Sequence, residues 1–197
     1  MANKRGTMNP PNMDKRIWQP IGENILMFCA ANDEGLDVRY DQTYPAACKN
    51  MVICIGAAKP SGKTDANVGE QNVDFTIPGQ VVLDQPRSGS SVSTALAAGL
   101  AGLILFCVSI SSHNKYATVI RQRNNMERVL RYLARSSTDS RATLIRVKEA
   151  FISEFASWDW KLKGKDELDK LVGRLLMYVK DDENSGRLRR VITGNMA

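Results

Sequence analysis

The residues whose types and spacing could do chemistry stand in one short stretch, Gly89-Ser90-Ser91-Val92-Ser93-Thr94-Ala95. Its four hydroxyl side chains run directly into Leu96-Ala97-Ala98-Gly99-Leu100-Ala101. The apolar run from Ser93 to Ile110 is too long for a strand and is apolar nearly all round, which predicts a helix buried in a core, with Gly99 and Gly102 allowing close backbone approach. A helix leaves its first N–H groups unpaired and carries a partial positive charge at that end. A serine held there has an oxygen that can attack an electrophile, beside donors that can hold the charge developing on a carbonyl oxygen. The same residues also suit a plain serine N-cap on a core helix, and by themselves they favour that plainer reading.

A serine hydroxyl is a weak nucleophile at neutral pH and works through an adjacent base, usually a histidine oriented by a carboxylate. The sequence holds one histidine, His113, 22 residues beyond Ser91. A helix reaching Ile110 rises ~1.5 Å per residue, which carries His113 about 30 Å away, whereas a base must come within ~3 Å. The residues present therefore predict no turnover by this chain alone. Cys29, Cys48, Cys54 and Cys107 contain no C-x-x-C pair, so neither a metal site nor a disulfide framework is expected, and no cofactor. Gly56-Ala57-Ala58-Lys59-Pro60-Ser61-Gly62-Lys63-Thr64 is similar to a phosphate-binding loop but has five residues between its glycines instead of four. Asp65-Ala66-Asn67-Val68-Gly69 reads as loop where such a cradle would open a helix, so no nucleotide is expected.

The elements that must position these groups are read from periodicity. Asn24 to Ala31 and Met51 to Ala57 are short continuous apolar runs bounded by turn residues, as strands buried on both faces are, and Val73 to Ile77 is a weaker third. Helical stretches are expected over about 115–135, 139–156 and 166–180. The last carries Leu168, Leu171, Val172, Leu175, Leu176 and Val179 on one stripe, with Asp166 as a cap. Strands first and helices after predict an α/β layer sandwich continued by a helical C-terminal segment.

On these residues the chain resembles a known family. Gly89-Ser90-Ser91-Val92-Ser93-Thr94-Ala95 resembles the nucleophile signature of the subtilisin-like serine peptidases (subtilases, peptidase S8), G-T-S-[MV]-[AS]-[TS]-P, with Ser90 in place of Thr and Ala95 in place of Pro. Upstream, Ala30-Ala31-Asn32-Asp33-Glu34-Gly35 is similar to the family's A-A-G-N-x-G, with Ala31 in place of the glycine. Tyr44-Pro45-Ala46 followed by Val52 to Ala57 resembles Y-P-[AS]…V-I-x-V-G-A, and Val73 to Gly79 resembles V-D-[IV]-x-A-P-G. These motifs stand in the family's order and cover about residues 24–110.

The resemblance implies an α/β fold, a partial subtilisin-like parallel-sheet layer sandwich with a C-terminal helical extension. It implies Ser91 as nucleophile, Asn32 and the Ser91 N–H as oxyanion donors, and Ala30 and Ala31 against the substrate, with Ala31 narrowing the specificity pocket. The implied activity is hydrolysis of a peptide or protein substrate through an acyl-enzyme. The family's aspartate and histidine both precede the serine, and neither has a counterpart here. Asp33-Glu34-Gly35 is similar to the family's D-[ST]-G, but its place after the Asn32 strand makes that a chance match. The resemblance thus implies the C-terminal part of a catalytic domain, and the alternative is a non-catalytic pseudopeptidase or interaction protein.

Charge adds little to this. The net charge of +6 belongs to residues 111–197, with 18 Lys and Arg against 11 Asp and Glu, while residues 1–110 carry 9 against 10. Acids interleaved with the bases describe solvated helix faces, and no basic run is interleaved with aromatics, so no nucleic-acid partner is expected. The longest apolar stretch, Ala95 to Ile110, has 16 residues, short of the ~20 of a membrane span, and the N-terminus lacks the apolar core of a secretory signal. A cytoplasmic location without a membrane span is the expectation. The expected organisation is a tail over 1–20 that matches nothing in the family, a subtilase-like part over 21–112, a helical extension over 113–180 and a flexible tail over 181–197. The sequence is silent on oligomeric state.

Overall fold

Three short apolar runs become the parallel strands at the centre of the fold: β1 (Phe28–Ala30), β2 (Ile53–Ala58) and β3 (Phe75–Pro78). In this computed structural model the described residues are 19–33, 44–48, 50–59, 61, 63–65, 68, 73–81, 87–134, 143–144 and 164–179. Further along the chain come β4 (Gln80–Val81), β5 (Arg87–Ser88), α1 (Ser90–Ile110), a 3-10 turn (Asn114–Tyr116), α2 (Ala117–Ile120), α3 (Arg123–Leu133), β6 (Thr143–Leu144) and α4 (Gly164–Leu176). The main sheet has the order β1-β2-β3-β6 with every pairing parallel, in the register Phe28↔Ile53, Ile55↔Phe75 and Phe75↔Thr143. β4 and β5 form a separate antiparallel pair.

Every residue of β2 is buried, as expected of a strand covered on both faces. Its side chains alternate: Ile53 and Ile55 join Phe75 and Ile77 in the core under the helices, while Cys54 packs on the other face with Cys29, Val52 and Val68. That second face is closed by residues outside the sheet such as Ile21, Ala46 and Met51. β1 is shorter than its apolar run, and Asn24, with φ 56, occupies the left-handed region just before it.

α1 starts three residues earlier than its apolar period predicts, because the hydroxyl residues Ser90 to Thr94 are themselves helical. It is also not buried all round. Ser93, Ala97, Leu100, Ala101, Ile104, Cys107 and Val108 face the sheet and the other helices, whereas Leu96, Leu103, Phe106 and Ile110 are each more than two-fifths exposed. Gly99 and Gly102 lie on that open face, where an added Cβ would meet nothing within 4 Å, so they serve no close approach. Counting only from Ala95 also understated the helix. At 21 residues, with mean hydropathy 2.1 over its 18-residue window, α1 is long and apolar enough to cross a membrane by length and composition, although 39% of that window is buried against the rest of the fold.

Two expected helices are corrected. The stretch at 115–135 is broken at Gln122, whose extended backbone (ψ 133) separates α2 from α3. Within 139–156, Thr143 and Leu144 form β6 against β3; the remainder of that stretch lies outside the described residues, as do residues 1–18 and 180–197. α4 begins at Gly164, so Asp166 sits in its first turn and is not its cap. Its stripe, Leu168, Leu171, Val172, Leu175 and Leu176, joins α1, α3 and the sheet in one core.

Candidate active site

In open parallel sheets, ligands bind beyond the carboxyl ends of the strands. Here that edge is built by three backbone junctions. β1 ends at Ala30, and Ala31 continues it through a hydrogen bond from its N–H to the Ile55 carbonyl (2.8 Å). β3 ends at Pro78, and the Gly79 N–H donates to the Ala58 carbonyl (3.0 Å). α1 begins beside both, with the Gly89 N–H on the Gly79 carbonyl (2.9 Å). A side chain at Gly79 would stand 2.7 Å from the Ala57 Cβ and 2.9 Å from the Gly89 carbonyl, so this crossing requires glycine.

Asp33 ties the end of β1 to the start of α1. Its Oδ2 accepts the Ser90 N–H at 2.8 Å and its Oδ1 accepts the Ser90 hydroxyl at 2.5 Å. Ser90 is fully buried, and its Oγ in turn accepts the Ala57 N–H at 3.1 Å, which joins β2 to the same point. Gly89, the N-cap, has φ 115, and a Cβ there would lie 2.8 Å from Asp33 Oδ2. A carboxylate at a helix N-terminus is favourable because it meets unpaired N–H groups and the positive end of the dipole. Asp33 is thus a central structural residue. No local pattern marks it, since its partner lies 57 residues away.

The other hydroxyls divide clearly. Ser93 is buried and donates to the Ile77 carbonyl (2.9 Å), and Thr94 donates to the Ser90 carbonyl (2.7 Å). Ser91 is exposed, and among the described residues neither its hydroxyl nor its N–H has a hydrogen-bond partner. It adjoins Ser90, while Asn32, half-buried, adjoins Asp33. Each therefore neighbours one member of the Asp33–Ser90 pair. Ala30 is half-buried at the strand end and Ala31 is buried. His113 caps the 3-10 turn past the far end of α1, about 28 Å of helix from Ser91.

Two further groups lie away from this edge. Asp74 accepts the Cys54 N–H (2.9 Å) and the Arg123 guanidinium (3.3 Å), yet burial holds its carboxyl above the ordinary value of 3.8. Cys29 and Cys54, in register on β1 and β2, are buried free thiols; the hydrogen bond between them lowers Cys29 and raises Cys54. Among the described residues no group of His, Cys, Asp or Glu could hold a metal ion. In the segment at Gly56–Thr64, Gly56 lies buried inside β2, the Lys59 N–H donates to the Lys63 carbonyl (2.8 Å), and Thr64 bridges back to Ala58.

No family model and no curated protein matches the chain. Among solved structures it is similar to the prenylagaramide maturation protease PagA, at a TM-score of 0.54 and 18% sequence identity. The likeness covers 70% of this chain and 54% of that one, so the chain spans about half the length of the solved protease, with which it shares an α/β fold of parallel strands packed against helices.

Proposed function

We propose that this chain carries the nucleophile half of a subtilisin-like serine peptidase site, with Ser91 as the attacking residue and Asn32 and the Ser91 N–H as oxyanion donors. The observation that carries this is Ser91 itself. It is exposed at the positive end of α1, with hydroxyl and N–H both unoccupied among the described residues, while the serines on either side of it, Ser90 and Ser93, are buried and hydrogen-bonded. An oxyanion hole is preorganised before the reaction, and a helix-end N–H already engaged elsewhere would stabilise nothing new. The motif order and the fold shared with a maturation protease support the same reading. In that chemistry Ser91 Oγ attacks a peptide carbonyl, the two N–H donors hold the oxyanion, and Ala30 and Ala31 border the substrate.

The base is what this chain does not supply. His113 is its one histidine and lies past the far end of α1, with about 28 Å of helix between it and Ser91, so the chain by itself is expected to bind without turning over. That observation favours a second reading, a non-catalytic interaction protein on a peptidase scaffold. A crystal structure and a fluorophosphonate probe test both. The peptidase reading requires Asn32 Nδ2 and Ser91 Oγ to aim at one point about 3 Å from each. A separation beyond about 10 Å overturns it. The probe is expected to leave the chain unlabelled, and stoichiometric labelling lost in Ser91→Ala would mean that a base does reach Ser91.

A further inference from the structure

The N-terminal ends of β1 and β2 lie at the pole of the sheet opposite Asn32 and Ser91. There the segment before β1, the turn before β2 and the start of α3 surround a cleft of about 300 Å³. Among the described residues its charged lining is Arg121, Arg123 and Arg128, with no carboxylate. Like charges gathered in one concave site repel one another unless a counter-charge occupies it.

The three arginines are not equivalent. Arg123 is fully engaged: its Nε donates to the Val52 carbonyl (3.0 Å), and its other nitrogens reach Asp74 (3.3 Å) and Glu127 (2.7 Å). Among the described residues Arg128 has a neutral partner only, Asn125 Oδ1 at 3.1 Å. Asn125 is 2% exposed, and its amide is fixed by the Val119 carbonyl and Gln122 Oε1, both at 3.0 Å, so it aims the Arg128 guanidinium without neutralising it. Arg121 is exposed and makes no side-chain hydrogen bond or ion pair among the described residues. Around them, Asn24, Asn50 and Asn124 add amides, and Ile25, 52% exposed, forms an apolar side. α3 begins in the same cleft with neither a side-chain cap nor an acid in its first turn.

We propose that this cleft binds an oxyanion, the phosphate or carboxylate head of a small ligand, between Arg121 and Arg128, with the body of the ligand against Ile25. Guanidinium forks match both groups, and the hydrogen bonds they make to anions are charge-assisted. A volume of about 300 Å³ admits a ligand at the small end of the usual range. The site is independent of the Ser91 edge and stands whether or not that edge is a peptidase site.

Titration calorimetry of the full chain with inorganic phosphate, and separately with acetate, at ionic strength held constant with sodium chloride, tests this. Saturable binding is expected. Arg121→Gln and Arg128→Gln should each weaken it about tenfold. Lys165→Gln, which removes the same charge from an exposed residue of α4, should leave it unchanged. Phosphate binding tighter than acetate assigns a phosphoryl head, and the reverse order assigns a carboxylate. Thermal unfolding of each variant verifies that it is folded. Heats no different from those of sodium chloride overturn the proposal. So does either arginine variant, folded, binding like the parent, or a loss in Lys165→Gln equal to that in the arginine variants.

Discussion

Removing the Asp33 carboxylate should be among the costliest changes available at an exposed position. Asp33→Ala deletes the acceptor of both the Ser90 N–H (2.8 Å) and the Ser90 hydroxyl (2.5 Å), and Ser90 is 0% exposed. Hydrogen bonds to a charged group contribute roughly 1.5–3 kcal/mol each, and a buried donor left unpaired costs about 1–3 kcal/mol. Asp33 itself is exposed, so water re-pairs part of what is lost, and the expected net loss is about 2–3 kcal/mol. For a chain of this size that lowers Tm by about 4–12 °C. Asp33→Asn should fall between, since its carbonyl oxygen still accepts the N–H while its amide cannot accept the hydroxyl. The assay is urea unfolding followed by far-UV circular dichroism, with a lower midpoint and an unchanged slope. A double-mutant cycle with Ser90→Ala should show coupling above about 0.5 kcal/mol. If Asp33→Ala unfolds within about 0.5 kcal/mol of the parent, or the cycle is additive, the carboxylate is not what holds the end of β1 to the start of α1. The proposed pairing of Asn32 with Ser91 would fall with it.

Two further outcomes rest on burial. Ile104, 1% exposed on the inner face of α1, should cost about 2–5 kcal/mol as Ile104→Ala, whereas Phe106→Ala, at a residue 58% exposed, should cost under about 1.5 kcal/mol; comparable losses in chemical denaturation would mean that the outer face of α1 is covered. Asp74 should titrate above 3.8 by NMR, because burial outweighs the Cys54 N–H and Arg123. Its proton is then held more tightly in the folded state, so its contribution to stability is full below 3.8 and is lost as pH rises through the higher folded value. Asp74→Asn should remove that slope from the pH–stability curve, and a folded titration midpoint at or below 3.8 contradicts it.

Much of the frame was legible because burial leaves a periodic trace. Val52 to Ala57 reads as a doubly covered strand because every position is apolar or small, and β2 is buried throughout. The α4 stripe is legible for the same reason, as five apolar residues of the helix, with Val179 just beyond it, follow a 3.6-residue period. α1 misled in two ways. Its outward residues, Leu96, Leu103, Phe106 and Ile110, are as apolar as its inward ones, so hydropathy could not tell which face was covered. Its first turn is made of hydroxyl residues, which periodicity does not count. β6 is two residues long and owes its conformation to β3, which no window over 139–156 can register. At the candidate site, Ser91 and Asn32 stand out by motif, while Asp33 does not, because its role exists only once distant segments meet. The arginine cleft was invisible for the same reason: Arg121 and Arg128 look like any residues of a solvated helix until Asn24 and Asn50 are brought opposite them.

The cap on α1 has a consequence for the order in which this molecule assembles. Helix ends are usually satisfied by a neighbour a few residues away, so the end forms as soon as the helix does. Here the acceptor is 57 residues upstream of Ser90. Closing a chain segment of that length carries an entropic cost of about 3.5 kcal/mol before any constant term. The first turn of α1 therefore stays frayed until β1 and β2 have paired and the helix has docked on them. A peptide carrying only residues 87–112 would present Ser91 on a ragged end, with no fixed direction for its hydroxyl or its N–H. The setting of Ser91 is thus written into tertiary closure and not into its own stretch of sequence. Whatever opens the contact between β1 and α1 erases it in one step.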